Sequence, residues 1–206
     1  MNVIGLGGPA GTGKSTVARL ISARDGVAWI DLDRVAWRCY APGKAACGEL
    51  IARFGRSITD PSGRIDRRKL AATVFESDQA RADLNAIVHP EVETALRAEL
   101  DEHRSRGTRL LLVEGALLGI SPHIDYGVFD KVLWLTAPRS VRRQRLEGAK
   151  RGEHADRVVE EEGFATPVTQ IEASGTIEDV ARLVWQAICD GPPTQGSSRA
   201  ASSRSS

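Results

Sequence analysis

Cysteine is scarce in this chain, and the few that occur are far apart. Cys39, Cys47 and Cys189 form no CxxC pair and no spacing typical of a zinc site. An odd, sparse number of cysteines is typical of proteins that stay reduced, so a disulfide scaffold is excluded. We therefore expect a cytoplasmic protein.

An excess of charge and a long apolar run are also missing. The 206 residues contain 28 Lys and Arg against 27 Asp and Glu, a formal net charge of +1. This balance gives no global attraction to nucleic acid or to a membrane surface. No apolar run reaches the length of a membrane span, and residues 1–7 have no basic segment typical of a secretory signal. We expect neither nucleic acid nor a membrane as a partner.

A glycine-rich segment near the beginning of the chain matches the P-loop pattern. Residues 8–15 read Gly-Pro-Ala-Gly-Thr-Gly-Lys-Ser, after an apolar strand at 3–6 and before a helix predicted by the spacing of Val17, Leu20 and Ile21. Glycines let backbone N–H groups surround phosphates, and the helix N-terminus adds partial positive charge. The lysine reaches the terminal phosphates, and the following hydroxyl binds Mg²⁺. We predict that ATP is bound by Gly8, Gly11, Thr12, Gly13, Lys14, Ser15 and Thr16.

Apolar runs alternate with helical patterns along the chain. Further strands are predicted near 27–30, 110–113, 131–135 and 168–171, with helices between and after them. Such alternation predicts an α/β fold with a parallel sheet between two layers of helices, the three-layer P-loop NTPase fold. Because the tail at 191–206 has few apolar residues, we predict one domain over 1–190 followed by a disordered tail.

Residues 41–106 separate the second and third predicted strands, dividing the core into 1–40 and 107–190. They contain helical patterns near 43–54, 67–75, 78–87 and 90–105, with a turn predicted at His89-Pro90 between the last two. The segment is too long for one crossover. We therefore predict a helical substrate-binding insertion.

Carboxylates follow two of the predicted strands. Asp31 and Asp33 follow the second strand, and Glu114 follows the third. The carboxyl ends of parallel strands line one crevice, where ligands bind. Glu114 is a candidate Mg²⁺ ligand, with capping of the next segment as the alternative. Asp33 could orient and deprotonate an attacking hydroxyl or cap the next helix, and Asp31 could be that cap instead.

The segment 139–157 is rich in basic residues: Arg139, Arg142, Arg143, Arg145, Lys150, Arg151 and Arg157. The pattern fits a solvated helix with internal ion pairs. It also fits a short lid over about 139–165 whose arginines stabilise the charge on the phosphates. We expect at least one of these arginines to contact phosphate, and the pattern does not choose which.

Several further segments occur in the order and at the spacing of one family. They read Ile-Asp-Leu-Asp-Arg-Val-Ala at 30–36, Gly-Arg-Ile-Asp-Arg-Arg-Lys-Leu at 63–70 and Leu-Asn-Ala-Ile-Val-His-Pro at 84–90. With the P-loop, they make the chain resemble the dephospho-CoA kinase family over about 4–145. Enzymes of that family use ATP to phosphorylate the ribose 3′-hydroxyl of dephospho-CoA, the last step of CoA biosynthesis.

The resemblance implies roles for individual residues. It implies that Lys14 and Ser15 keep their P-loop roles and that Asp33 is the catalytic base. It gives Arg145 a catalytic role at the entry to the lid, and it places His89 and Leu117 at the substrate. For His89, a turn or core histidine stays an open alternative.

The chain departs from the family pattern in several places, among them residues 171–175, which read Ile-Glu-Ala-Ser-Gly where the family has Ile-Asp-Asn-Ser-Gly. Residues 114–120 read Glu-Gly-Ala-Leu-Leu-Gly-Ile where the family usually has Asp-x-Pro-Leu-Leu-Phe-Glu, and Trp37 stands where arginine is usual. The lid is also shorter. Two alternatives follow: a cytidylate-type nucleoside monophosphate kinase, which shares the P-loop, and a catalytically weakened nucleotide-binding homologue. We expect a monomer or weak homo-oligomer.

Overall fold

The computed structural model describes residues 1–75, 77–148 and 163–190. The strands are β1 Asn2–Gly7, β2 Val27–Asp31, β3 Leu110–Glu114, β4 Lys131–Thr136 and β5 Thr169–Glu172. The α-helices are α1 Lys14–Ser22, α2 Leu32–Cys39, α3 Ala45–Phe54, α4 Arg67–Phe75, α5 Asp78–Ser105, α6 Arg139–Gly148 and α7 Ile177–Cys189.

The five strands form one parallel sheet in the order β2-β3-β1-β4-β5. Every residue of β3 is buried, as its unbroken apolar run predicts for a strand covered on both faces. Glu114, at the end of β3, pairs in register with Leu6 on one side and Asp31 on the other. The carboxyl ends of β1, β2 and β3 therefore meet at one edge of the sheet.

Helices cover both faces of the sheet. On one face α1 and α7 pack together, and Val17 and Val184 are buried in the same apolar cluster as Leu112. On the other face α2 and α5 bury Val35 and Leu100. This arrangement confirms the predicted three-layer α/β fold.

The described residues of 41–106 are mostly helical and have an apolar cluster of their own. Leu50, Ile58 and Leu70 are buried in this cluster, apart from the two that cover the sheet. The segment also contains one isolated antiparallel bridge between Thr59 and Ile65. Its assignment as the substrate-binding region stays a prediction.

The predicted turn at His89-Pro90 is wrong, because α5 continues through it. Pro90 lies inside a single helix of 28 residues. A proline removes one backbone hydrogen bond from a helix and crowds the preceding turn, which bends a helix but does not always end it. Here Ala80 is buried before the proline, and Leu96 and Leu100 are buried after it. Burial of the helix on both sides of Pro90 therefore outweighs the tendency of proline to end a helix.

Two predictions fall partly or wholly outside the described residues. Of the predicted lid, the structure describes 139–148 and 163–165 only, and the tail at 191–206 is not described. Among the helices that are described, none is long and apolar enough to span a bilayer.

Candidate active site

The loop between β1 and α1 has the backbone geometry of a phosphate-binding loop. Gly11 and Gly13 have φ angles of 84° and 93°, which L side chains rarely adopt. A Cβ at Gly11 would also lie 2.6 Å from the carbonyl oxygen of Arg142. The buried hydroxyl of Thr12 donates to the carbonyl of Pro9 at 2.9 Å. The loop is thus held in shape by its own residues and by close contact with α6.

Lys14 lies inside this loop. Its ammonium donates to the carbonyl oxygens of Gly8 at 2.6 Å and Pro9 at 3.2 Å, and only 9% of the residue is exposed. A buried ammonium needs such partners, because its desolvation is otherwise costly. Burial raises the pKa of both Asp33 and Glu114, and the positive charge of Lys14 opposes this increase. Lys14 is therefore the positive centre of the strand edge where these carboxylates meet.

The two aspartates at the junction of β2 and α2 have different roles. Asp31 caps α2: one carboxylate oxygen accepts from the backbone N–H of Arg34 at 3.0 Å, and the other lies 3.3 Å from that residue's Nε. Asp33 lies in the first turn of the helix, and its carboxylate accepts a hydrogen bond from the backbone N–H of Ala116. The helix cap is thus Asp31, and Asp33 faces the segment that follows β3.

The surroundings of Asp33 make its carboxylate more basic than an ordinary aspartate. Partial desolvation is the largest influence and raises its pKa, and the negative charge of Asp31 raises it further. Lys14 and the N–H of Ala116 act in the opposite direction but do not cancel the increase. The residue still reaches solvent. A base in contact with solvent and with a raised pKa is suited to accepting a proton.

Glu114 and Ser15, the two predicted Mg²⁺ ligands, are in contact. Glu114 is only 3% exposed and accepts a hydrogen bond from the Ser15 hydroxyl. Burial raises the pKa of Glu114, and Ser15 and Lys14 partly oppose this. No group of three or more Asp, Glu, His or Cys in the described part of the chain could hold a metal. One carboxylate and one hydroxyl suit Mg²⁺, which usually takes its remaining ligands from water and phosphates.

Arg145 joins two segments beside the P-loop. Its guanidinium donates to the carbonyl oxygens of Ala173 and Gly175, both at 2.7 Å, and to that of Thr12 at 3.5 Å. Arg142, one turn earlier, donates to the carbonyl of Ala10 at 3.4 Å. Both arginines therefore hold the loop from outside, a role that no sequence motif indicates. The catalytic role of Arg145 stays a prediction.

The structure places Leu117 and His89 in different surroundings. Leu117 is 49% exposed and follows Ala116, so it lies at the edge occupied by Asp33. His89 is half-buried in a cleft between α5 and residues 121–128, where its ring packs on His123 with 4.8 Å between centroids. Burial, and to a lesser extent His123, lower the pKa of His89. Sequence reasoning missed His123, which no motif marks.

Comparison with known proteins identifies the family. The model of the dephospho-CoA kinase family matches residues 2–163. The chain belongs to the dephospho-CoA kinase family. The dephospho-CoA kinase of Geobacter sulfurreducens is 34% identical over 194 residues, covering 89% of this chain and 95% of that protein. That of Anaeromyxobacter dehalogenans is 40% identical over 149 residues, covering 71% and 68%.

A solved structure shares the fold. The crystal structure of TT1252 from Thermus thermophilus superposes with a TM-score of 0.68 at 31% identity, covering 91% of this chain and 96% of the other. The match to the family model and the two dephospho-CoA kinases above confirm the resemblance to this family. The family match also extends over the region after β3 where the chain departs from the usual pattern, since that region lies within residues 2–163.

Proposed function

We propose that the chain transfers the γ-phosphoryl group of ATP to the ribose 3′-hydroxyl of dephospho-CoA, giving CoA and ADP in the last step of CoA biosynthesis. One observation carries the proposal: in a member of this family, the P-loop Lys14 and the carboxylates of Asp33 and Glu114 share one strand edge. Phosphoryl transfer depends mainly on positioning and on compensation of charge, and this edge offers groups for both.

The P-loop binds the phosphoryl donor, ATP. Backbone N–H groups over 8–16 surround the phosphates of ATP, and Lys14 exchanges its carbonyl partners for phosphate oxygens, which are stronger acceptors. Ser15 and Glu114 would hold Mg²⁺ at the same edge. When bound, this ion would neutralise part of the charge on the phosphates. Arg145 keeps the P-loop in place and, as a further part of the proposal, stabilises charge on the transferring group.

Asp33 acts on the acceptor, the 3′-hydroxyl of dephospho-CoA. The N–H of Ala116 holds its carboxylate toward the loop that follows β3. A second lone pair then orients the 3′-hydroxyl, and the raised pKa favours acceptance of its proton as the O–P bond forms. Leu117 and His89, with the helical region 41–106, contribute to the site for dephospho-CoA.

A coupled ADP-release assay tests the proposal. The enzyme is given ATP and Mg²⁺ with dephospho-CoA, with CMP, or with no acceptor. We expect ADP release above background with dephospho-CoA alone. Release with CMP would indicate a nucleoside monophosphate kinase, and no acceptor-dependent release under any condition would indicate a nucleotide-binding homologue.

We also propose the substrates, the compartment and the oligomeric state of the enzyme. The partners are the small molecules ATP and dephospho-CoA, and we place the enzyme in the cytoplasm as a monomer or weak homo-oligomer. The few, unpaired cysteines support a reducing compartment. Sedimentation at micromolar concentration would measure the oligomeric state.

A further inference from the structure

One side of α2 carries a column of polar and aromatic side chains. Asp33 and Trp37 stand at i and i+4, which is the spacing of one helix face, and the apolar residues of α2 are buried elsewhere on the helix. Tyr40 directly follows the last residue of α2. Burial raises the pKa of Tyr40, the charge of Arg67 lowers it, and that of Asp33 raises it further. Arg67 and Asp33 therefore both lie close to Tyr40.

Trp37 presents an aromatic surface within the column. The guanidinium carbon of Arg67 lies 3.4 Å from the centroid of the Trp37 ring, a cation–π stack, and 38% of Trp37 stays exposed. The neighbouring Arg38 is paired elsewhere, with its Nη2 2.5 Å from Oε1 of Glu99 on α5. A partly open ring with a cation against it thus stands one helical turn, about 5.4 Å along the axis, from Asp33.

The acceptor has chemistry that matches this arrangement. In dephospho-CoA, the ribose whose 3′-hydroxyl must reach Asp33 also carries an adenine and a 5′-diphosphate. Bases stack on aromatic side chains, and guanidinium groups pair with phosphates. Both the adenine and the diphosphate are a few bonds from the 3′-hydroxyl. Their distance from it is comparable to the length of one turn of α2, which separates Trp37 from Asp33.

We propose that Trp37 stacks on the adenine of dephospho-CoA and that Arg67 binds its diphosphate, which fixes the ribose with its 3′-hydroxyl at Asp33. Trp37 is then a determinant of acceptor specificity that acts on the base. The inference rests on the proposed function, since it concerns the acceptor of that reaction.

Equilibrium binding tests the stack without requiring turnover. Calorimetric titration with dephospho-CoA should show affinity weakened about 5- to 150-fold in Trp37→Ala, the effect of losing one base–aromatic stack, and by only a few-fold in Trp37→Phe. Binding of 4′-phosphopantetheine, which has no base, should be unchanged, as should the KM for ATP. Dephospho-CoA should quench tryptophan fluorescence in the wild type and not in Trp37→Phe.

Trp185 on α7 is the matched control. Arg24 lies 4.2 Å from the centroid of its ring, so it forms a second tryptophan–arginine pair, and it packs with the apolar cluster on the α1–α7 face of the sheet. Trp185→Phe should keep both the affinity and the quenching. Equal affinity of the wild type and Trp37→Ala, or an equal loss for 4′-phosphopantetheine, overturns the stack and leaves the proposed function standing. If the wild type binds no dephospho-CoA, both the stack on Trp37 and the proposed function are refuted.

Discussion

At the residue scale, two aspartates two positions apart have different roles. Asp31 ends β2 and caps α2, whereas Asp33 lies one step into the helix and accepts from the N–H of Ala116. Asp31 also acts on Asp33 through its charge, which raises the pKa of Asp33. The basicity of the proposed catalytic base can therefore be changed from outside the reaction centre.

Asp31→Asn should extend activity to lower pH. A general base works above its pKa and is lost as the pH falls through it. Removing the negative charge of Asp31 lowers the pKa of Asp33, so the acidic limb of the kcat profile should move down in pH, while asparagine still caps the helix. The kcat profile of Asp31→Asn against wild type measures this, with Asp101→Asn on α5 as the remote control. An unchanged or upward-shifted limb would contradict the assignment of Asp33 as the base.

Lys14→Ala should abolish most of the turnover without unfolding the chain. The ammonium is the positive centre of the strand edge, and we expect kcat at saturating ATP to fall about a hundredfold or more, the usual effect of losing a donor to developing charge. Circular dichroism should still show the wild-type fold. Wild-type turnover by this variant would refute the P-loop assignment.

At the scale of elements, some features can be predicted from short segments of the sequence and others cannot. The strand β3 and the P-loop could be predicted, because burial on both faces and phosphate binding each demand a characteristic run of residues. The grouping of Asp33 with Glu114 could be predicted from the parallel-strand rule. The N–H of Ala116, the bracing contacts of Arg145 and the ring pair of His89 could not, because each joins segments that are distant in sequence.

In α5, Pro90 predicts a turn that the structure does not have. Substitution of Pro90 tests how much this proline destabilises the helix. Proline inside a helix is less favourable than alanine by up to about 3 kcal/mol. We expect Pro90→Ala to raise the free energy of unfolding by about 1–3 kcal/mol in urea titrations, because Ala80 and Leu100 already hold both halves in one helix. Glu91→Ala, at an exposed neighbouring position, is the control. Destabilisation by Pro90→Ala would mean that the packing of both halves requires the proline.

At the scale of the whole molecule, the two substrates should bind to different parts of the chain. The proposed function assigns ATP to the P-loop at the edge of the sheet and dephospho-CoA to the helical region 41–106, which has its own apolar cluster. Ligands slow amide exchange in the segments that they stabilise. Hydrogen exchange should therefore show protection at 8–20 with ATP and at 41–106 with dephospho-CoA. Protection of the P-loop alone by either ligand would argue against a separate acceptor region.

The proposed role of Asp33 as the base that deprotonates the 3′-hydroxyl is tested by the rate of the chemical step in a variant that cannot accept a proton. CoA formation is followed in single-turnover experiments with ATP and dephospho-CoA in wild type and Asp33→Asn. Asparagine keeps the shape of the side chain but cannot accept the proton, so the rate of the chemical step should fall at least about a hundredfold. ATP affinity should be unchanged, dephospho-CoA affinity should stay within a few-fold, and Asp31→Asn should lose much less. A folded Asp33→Asn that forms CoA at the wild-type rate would show that Asp33 is not the base.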